Sequence, residues 1–253
     1  MAIRFLYDNL YAAATLVASS EVAAMPVEAS QDADRSYRWR SNTSTGEQTV
    51  DIDLGSVQAV DSVALANPKI LGTAGTVELY QRGDSSSAGS ATLVATLPSE
   101  NTDRRTMVQF FASQSHRHWQ LKWTTTGASD YAELGFAFLG SYAEPSRNIA
   151  WPTVSADEVD PSVVRMSVDR QRSVVQRTRY SVGRFQWSML QSSDRDLLRE
   201  IWGEAGVGVP VFGVLSTGLP WTAWMLYLEP GFAQSFAARP DTYDVSIGWE
   251  EAT

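Results

Sequence analysis

His116 and His118 flank Arg117 and are the only histidines in the chain. Residues two apart on a strand share a face, so the pair has the form of an H-x-H metal half-site. No third ligand lies nearby in the sequence, and the pair faces away from Trp119, Leu121 and Trp123, so polar surface histidines are the expected outcome. Asp51 and Asp53 have the same spacing, and carboxylates so placed can do acid/base work or hold Ca²⁺. Any alternating strand with an acidic solvent face gives this pattern, and a solvated face is expected. With both histidines adjacent and no cysteine, a Ser-His-Asp or Cys-His hydrolase lacks its parts. No phosphate loop, dinucleotide fingerprint or zinc-protease motif occurs. The chain is therefore expected to hold no catalytic, cofactor-binding or metal site, and to be no enzyme.

Three shorter patterns have plainer explanations. Arg82-Gly83-Asp84 spells an adhesion tripeptide, and Asn42-Thr43-Ser44 spells a glycosylation sequon, yet both triplets fit turn chemistry. Leu219-Pro220-Trp221-Thr222-Ala223-Trp224 could stack sugars, but clustered tryptophans more often fill a core or a subunit contact.

The elements that position these residues are strands. Val50, Ile52 and Leu54 alternate with Asp51 and Asp53 before Gly55; Val63 and Leu65, Val77 and Leu79, and the 93–97 run follow. Residues 82–90 form a small, polar hairpin loop. Trp119, Leu121 and Trp123 share one face of a later strand, and Leu134, Phe136 and Phe138 share one face of the next. Pro145 and Pro152 mark a junction. Beyond it, Val164, Met166 and Val168 alternate, an Arg-rich stretch covers 170–179, and Phe185, Trp187 and Met189 alternate again. Ser193 with Asp196 resembles a capping box, and Leu197, Leu198, Ile201 and Trp202 then make an apolar helix face that Gly203 or Gly206 ends. Strands resume at 210–215, 222–228 and 243–249.

Composition sets the outer limits. At 253 residues with 43% apolar and 19% charged residues, the chain has the composition of one large or two modest folded domains. A net charge of −9 forgoes the counterion release that drives nucleic-acid affinity, so no specific nucleic-acid partner is expected. The apolar stretch from Leu10 to Ala18 is about half a membrane span and lacks a basic flank, so neither an export signal nor an anchor is expected. Only Lys69 and Lys122 of the 20 basic residues are lysine, which suits shared surfaces or reflects codon usage.

Two resemblances organise this pattern. Asp34 to Ser41 followed by Val50-Asp51-Ile52-Asp53-Leu54-Gly55, then Val57 to Leu65, Val77-Glu78-Leu79-Tyr80, Arg117-His118-Trp119-Gln120-Leu121 and Phe138-Leu139-Gly140, resembles the discoidin or galactose-binding-like β-sandwich over residues 1–141. Phe185-Gln186-Trp187-Ser188-Met189-Leu190, Ser193 to Trp202, Gly208-Val209-Pro210-Val211-Phe212 and Tyr243 to Glu251 resemble the tail-tube-type domain of distal tail proteins of tailed bacteriophages, over about 160–253. The chain is thus expected to be mainly β, with a discoidin-like sandwich at 1–141, a linker at 142–159, and a tail-tube-like β domain at 160–253 with one short helix near 193–203.

The resemblances imply a structural virion protein of the viral tail tip. It would form a homo-oligomeric ring, of six copies or alternatively three, joining tail tube to baseplate or fibre proteins around the DNA conduit. It would be made in the host cytoplasm, with no membrane partner. The alternative implied by the first half is a carbohydrate-binding module that attaches to host surface glycans.

Overall fold

The computed structural model describes residues 3–34, 37–44, 46–69, 76–83, 90–97, 106–124, 131–149, 155–166, 170, 172–216, 222–237, 239 and 241–252. The protein is mainly β, with one α-helix, Ser192–Ala205, among the described residues. Two compact units divide the chain: Ile3–Glu144 with Phe212–Trp224, and Pro145–Val211 with Met225–Thr253. No single cut in the sequence separates them. Residues 142–159, expected to be a linker, supply a strand to each unit, Tyr142–Ala143 to the first and Ser155–Val159 to the second.

The main sheet of the first unit is antiparallel, in the order Thr15–Ala18, Gln48–Ala66, Thr106–Thr124, Thr76–Gln81, Thr92–Thr96. Strand Phe136–Gly140 pairs with the far half of Gln48–Ala66. Gly55 does not end its strand. It adopts φ +77°, its N–H donates to Asp53 Oδ1 at 2.8 Å, and the ladder slips between Asp53 and Gln58, so the residue forms an irregularity inside one 19-residue strand. Val50 and Ile52 lie opposite Leu121 and Trp119 in that ladder, and all four are buried in one core with Tyr11, Val27, Trp39, Trp123 and Leu134. The rings of Trp39 and Trp123 meet at 5.1 Å, tilted by 54°. Buried Tyr11 shares a 2.7 Å hydroxyl hydrogen bond with Ser30, and burial pushes its phenol above the ordinary value.

The face assignment of Phe136 and Phe138 is corrected. Both were expected on the face of Leu134, but Gly135 breaks the alternation and shifts the parity of the residues after it. Ala137 and Leu139 join Leu134 in the core, while Phe136 stacks on Phe212 at 6.1 Å and Phe138 meets the same ring edge-on at 6.5 Å. Both faces of the strand are buried. The sequence fits this, because Phe136 lies opposite Ala66 and Phe138 opposite Ala64, so large residues pair with small ones. Phe212 arrives on strand Val211–Val214, which pairs with Arg4–Leu6, and the latter also pairs with Tyr142–Ala143. The Arg4 guanidinium sits over the rings of Phe110 and Tyr142 and bonds Glu144 at 2.6 Å.

In the second unit, strands Ala223–Phe236, Thr242–Glu251, Tyr180–Gln191 and Ser155–Val159 pair antiparallel in that order. Phe185, Trp187, Val245, Ile247 and Trp249 are buried, with Phe185 stacked on Trp249 at 5.5 Å. The helix buries Leu198, Ile201 and Ala205, and ends at Gly206, whose φ of +54° and 2.9 Å bond from its N–H to the Trp202 carbonyl close the last turn. Its start differs from the expected capping box. Gln191 is the N-cap and makes no side-chain cap bond; Asp194 accepts from the Ser146 backbone N–H and hydroxyl, and Asp196 pairs with Arg195. Part of the Arg-rich stretch expected between strands is itself a strand: Arg172–Val175 pairs with Val163–Met166 as a separate two-stranded hairpin.

Candidate ligand-binding cleft

The ladder that buries Ile52 against Trp119 turns Asp53 and His118 to the opposite face of the sheet, and one pair further along it turns Asp51 and Gln120 the same way. The aspartates are not a free solvated pair. Arg117 grips Asp53 with two 2.7 Å hydrogen bonds, Nε to Oδ1 and Nη2 to Oδ2. That bond is the main reason the Asp53 carboxyl is held well below the usual range, at about 2. Asp51 accepts from Gln120 Nε2 at 2.7 Å and lies 3.6 Å from Arg82 Nε. Lys122 bonds Glu47 at 2.7 Å, and Tyr80 donates to Glu78 at 2.7 Å. Each of these carboxylates is committed to a donor: a basic or amide residue of a neighbouring strand for Asp51, Asp53 and Glu47, and the Tyr80 hydroxyl of its own strand for Glu78.

The histidines diverge too. His118 is buried, not a surface residue, with Nδ1 3.8 Å from Asp53 Oδ1. The ring of His116 meets Trp119 edge-on at 6.0 Å, and the His116 carbonyl accepts from Trp119 Nε1. Among the described residues, no three metal-ligating side chains converge. Asp84 of the adhesion-like triplet and Trp221 of the tryptophan cluster lie outside the described residues, while Trp224 is buried. Asn42 is exposed, and the Thr43 hydroxyl accepts from Gln48 Nε2 at 2.9 Å as part of a turn. No helix among the described residues is long and apolar enough to cross a membrane.

A concave feature lies elsewhere in the first unit. Gln81 at the end of strand Thr76–Gln81, Thr92, Leu93 and Val94 at the start of Thr92–Thr96, and Phe111, Ala112 and Gln114 of Thr106–Thr124 line an open cleft of about 240 Å³. The Phe111 ring is half-buried and leans on Trp119, with centroids 6.3 Å apart. Gln114 directs Nε2 to the Ala112 carbonyl at 3.3 Å, and Gln81 Oε1 is buried with no hydrogen-bond partner among the described residues. Among the described residues these walls carry an aromatic face, two amides and a hydroxyl, and no charged side chain. Such a surface can place a flat apolar ring under C–H groups while exchanging hydrogen bonds with hydroxyls. Sequence reading missed these residues because the adjacent phenylalanines Phe110 and Phe111 break the alternation that would have marked residues 106–118 as a strand.

No family model matches the sequence, and no curated protein matches it. Solved structures do resemble part of it. A chitosan-binding module 1 from a chitosanase/glucanase of Paenibacillus sp. IK-5 is 22% identical, with a TM-score of 0.47, covering 53% of this chain and 100% of its own. Module 2 from the same enzyme, in complex with chitotriose, is 20% identical at a TM-score of 0.45, covering 53% and 100%. A family 32 carbohydrate-binding module from C. perfringens NanJ, in complex with galactose, is 16% identical at 0.43, covering 55% and 99%. The expected tail-tip role has no counterpart in these comparisons.

Proposed function

We propose that this chain is a non-catalytic binding protein whose first unit takes a neutral, hydroxyl-rich glycan in the cleft beside Phe111. The observation that carries this reading is the chemistry of the cleft: an aromatic ring, Phe111, flanked by the side-chain amides of Gln81 and Gln114 and the hydroxyl of Thr92. The described lining residues are uncharged, which favours a neutral sugar over a phosphate or a carboxylate. At about 240 Å³ the cleft is smaller than a drug-sized site, so it suits one or two sugar rings.

The test is a glycan array with the full chain, followed by calorimetric titration of the best neutral sugars. Phe111→Ala and Gln81→Leu should each weaken binding at least tenfold, about 1.4 kcal/mol. Silence across neutral glycans, or binding that both variants leave intact, rejects the reading.

A further inference from the structure

The hairpin of the second unit stands apart from every other sheet, and every residue of its two strands is exposed. Val163 pairs with Val175 and Val164 with Val174, so apolar residues occupy both faces. Their exposures are large for valine and methionine: 49% at Val164, 47% at Val174 and 68% at Met166 on one face, with 37% at Val163 and 53% at Val175 on the other. A lone two-stranded hairpin is marginal in water, and an apolar face on both sides makes its burial against something else favourable. The base is fastened, since Ser162 Oγ accepts from the Arg177 N–H at 3.0 Å and Arg179 bonds Asp160 at 3.2 Å.

Charge indicates what covers it. Residues 160–179 include Arg165, Arg170, Arg172, Arg177 and Arg179 against the two acids Asp160 and Asp169, whereas the whole chain is −9. A strongly basic arm therefore belongs to a chain whose remainder is more acidic than the total. On the arm, Arg172 pairs across from Met166 and Arg165 across from Ser173, so each apolar face carries a guanidinium. An arm with an apolar centre and a cationic rim complements an acidic surface that offers apolar patches.

We propose that the Val163–Val175 hairpin docks on the acidic body of a second copy of this chain. Arm and receiving surface are different parts of the molecule, so the contact is heterologous and propagates into a ring or a chain of subunits. This inference is independent of the glycan cleft, which lies in the other unit.

The absence of cysteine makes the test direct. Met166→Cys in the full chain carries a single photo-crosslinker, and sedimentation velocity follows unlabelled protein over a range of concentration and salt. Wild type should exceed the 27.8 kDa monomer with rising concentration, lose mass as salt screens the rim, and give crosslinks between chains. Val164→Asp with Met166→Asp, and separately Arg165→Glu with Arg172→Glu, should abolish association while leaving the thermal midpoint unchanged. Wild type that stays monomeric at every concentration overturns the proposal and leaves the arm to a foreign partner or a membrane. Association that both double variants leave intact, or crosslinks confined to one chain, overturns it as well.

Discussion

Arg117 and Asp53 form a two-pronged ion pair across neighbouring strands, with both hydrogen bonds at 2.7 Å, one residue beyond the buried pair Ile52 and Trp119. The pair pins the sheet where the Gln48–Ala66 ladder begins to slip, and the Gly55 N–H adds a third bond to the same carboxylate.

Its pH dependence follows from the sign of the shift. Asp53 is held at about 2 in the folded protein, below its ordinary 3.8, so the folded state favours the charged form. The stability it contributes is present above the ordinary value and is lost as pH falls through that value towards 2. Asp53→Asn should lower the thermal midpoint by a few degrees at neutral pH and by much less at pH near 2. An equal loss at both ends of a pH series of melting curves would show that the carboxylate charge is irrelevant.

The stacked rings of Phe136 and Phe212 should behave as a coupled pair. Each is buried, so Phe136→Ala and Phe212→Ala should each cost about 3–5 kcal/mol in urea unfolding. The double variant should cost less than the sum by ~0.5–1.5 kcal/mol, because the contact between the rings is lost once only. Strict additivity would mean that the two rings do not stabilise one another.

Gly140 is a third test. A Cβ there would lie 2.5 Å from the Asp8 carbonyl oxygen and 3.1 Å from the Phe138 ring, and the nearer of these is backbone that cannot swing aside. Gly140→Ala should destabilise by roughly 1–3 kcal/mol through overpacking. A variant as stable as wild type would show that residues 8 and 140 separate freely.

The two faces of a sheet were legible in the sequence only where alternation ran unbroken. Val50 and Ile52 facing inward with Trp119 and Leu121 followed from period two alone, as did the buried helix residues Leu198 and Ile201 from period 3.6. Local geometry defeated the same logic at Gly55, where a glycine suggested a stop and the chain absorbed it as an irregularity. It failed again at Gly135, where one residue exchanged the faces of the next two phenylalanines. The acids were legible as one face, but their partners Arg117 and Gln120 are 64 and 69 residues away in sequence and appear only once the strands are paired. The cleft was not legible at all, because Gln81, Thr92 and Phe111 carry no shared motif and meet only through the order of strands. Pairing of Arg4–Leu6 with Val211–Val214 was hidden for the same reason: strands of three and four residues give no address for a partner so far along the chain.

That last pairing constrains how the molecule is made. Strand Arg4–Leu6 emerges from the ribosome long before Phe212 and its neighbours, which complete the first unit and are translated only after the helix at 192–205. During synthesis the amino-terminal part must wait with an open edge and an uncovered Phe136 and Phe138 until the chain has grown past residue 214. A gene fragment ending at residue 144 would encode that waiting state permanently, and would be a poor vehicle for studying the first unit in isolation.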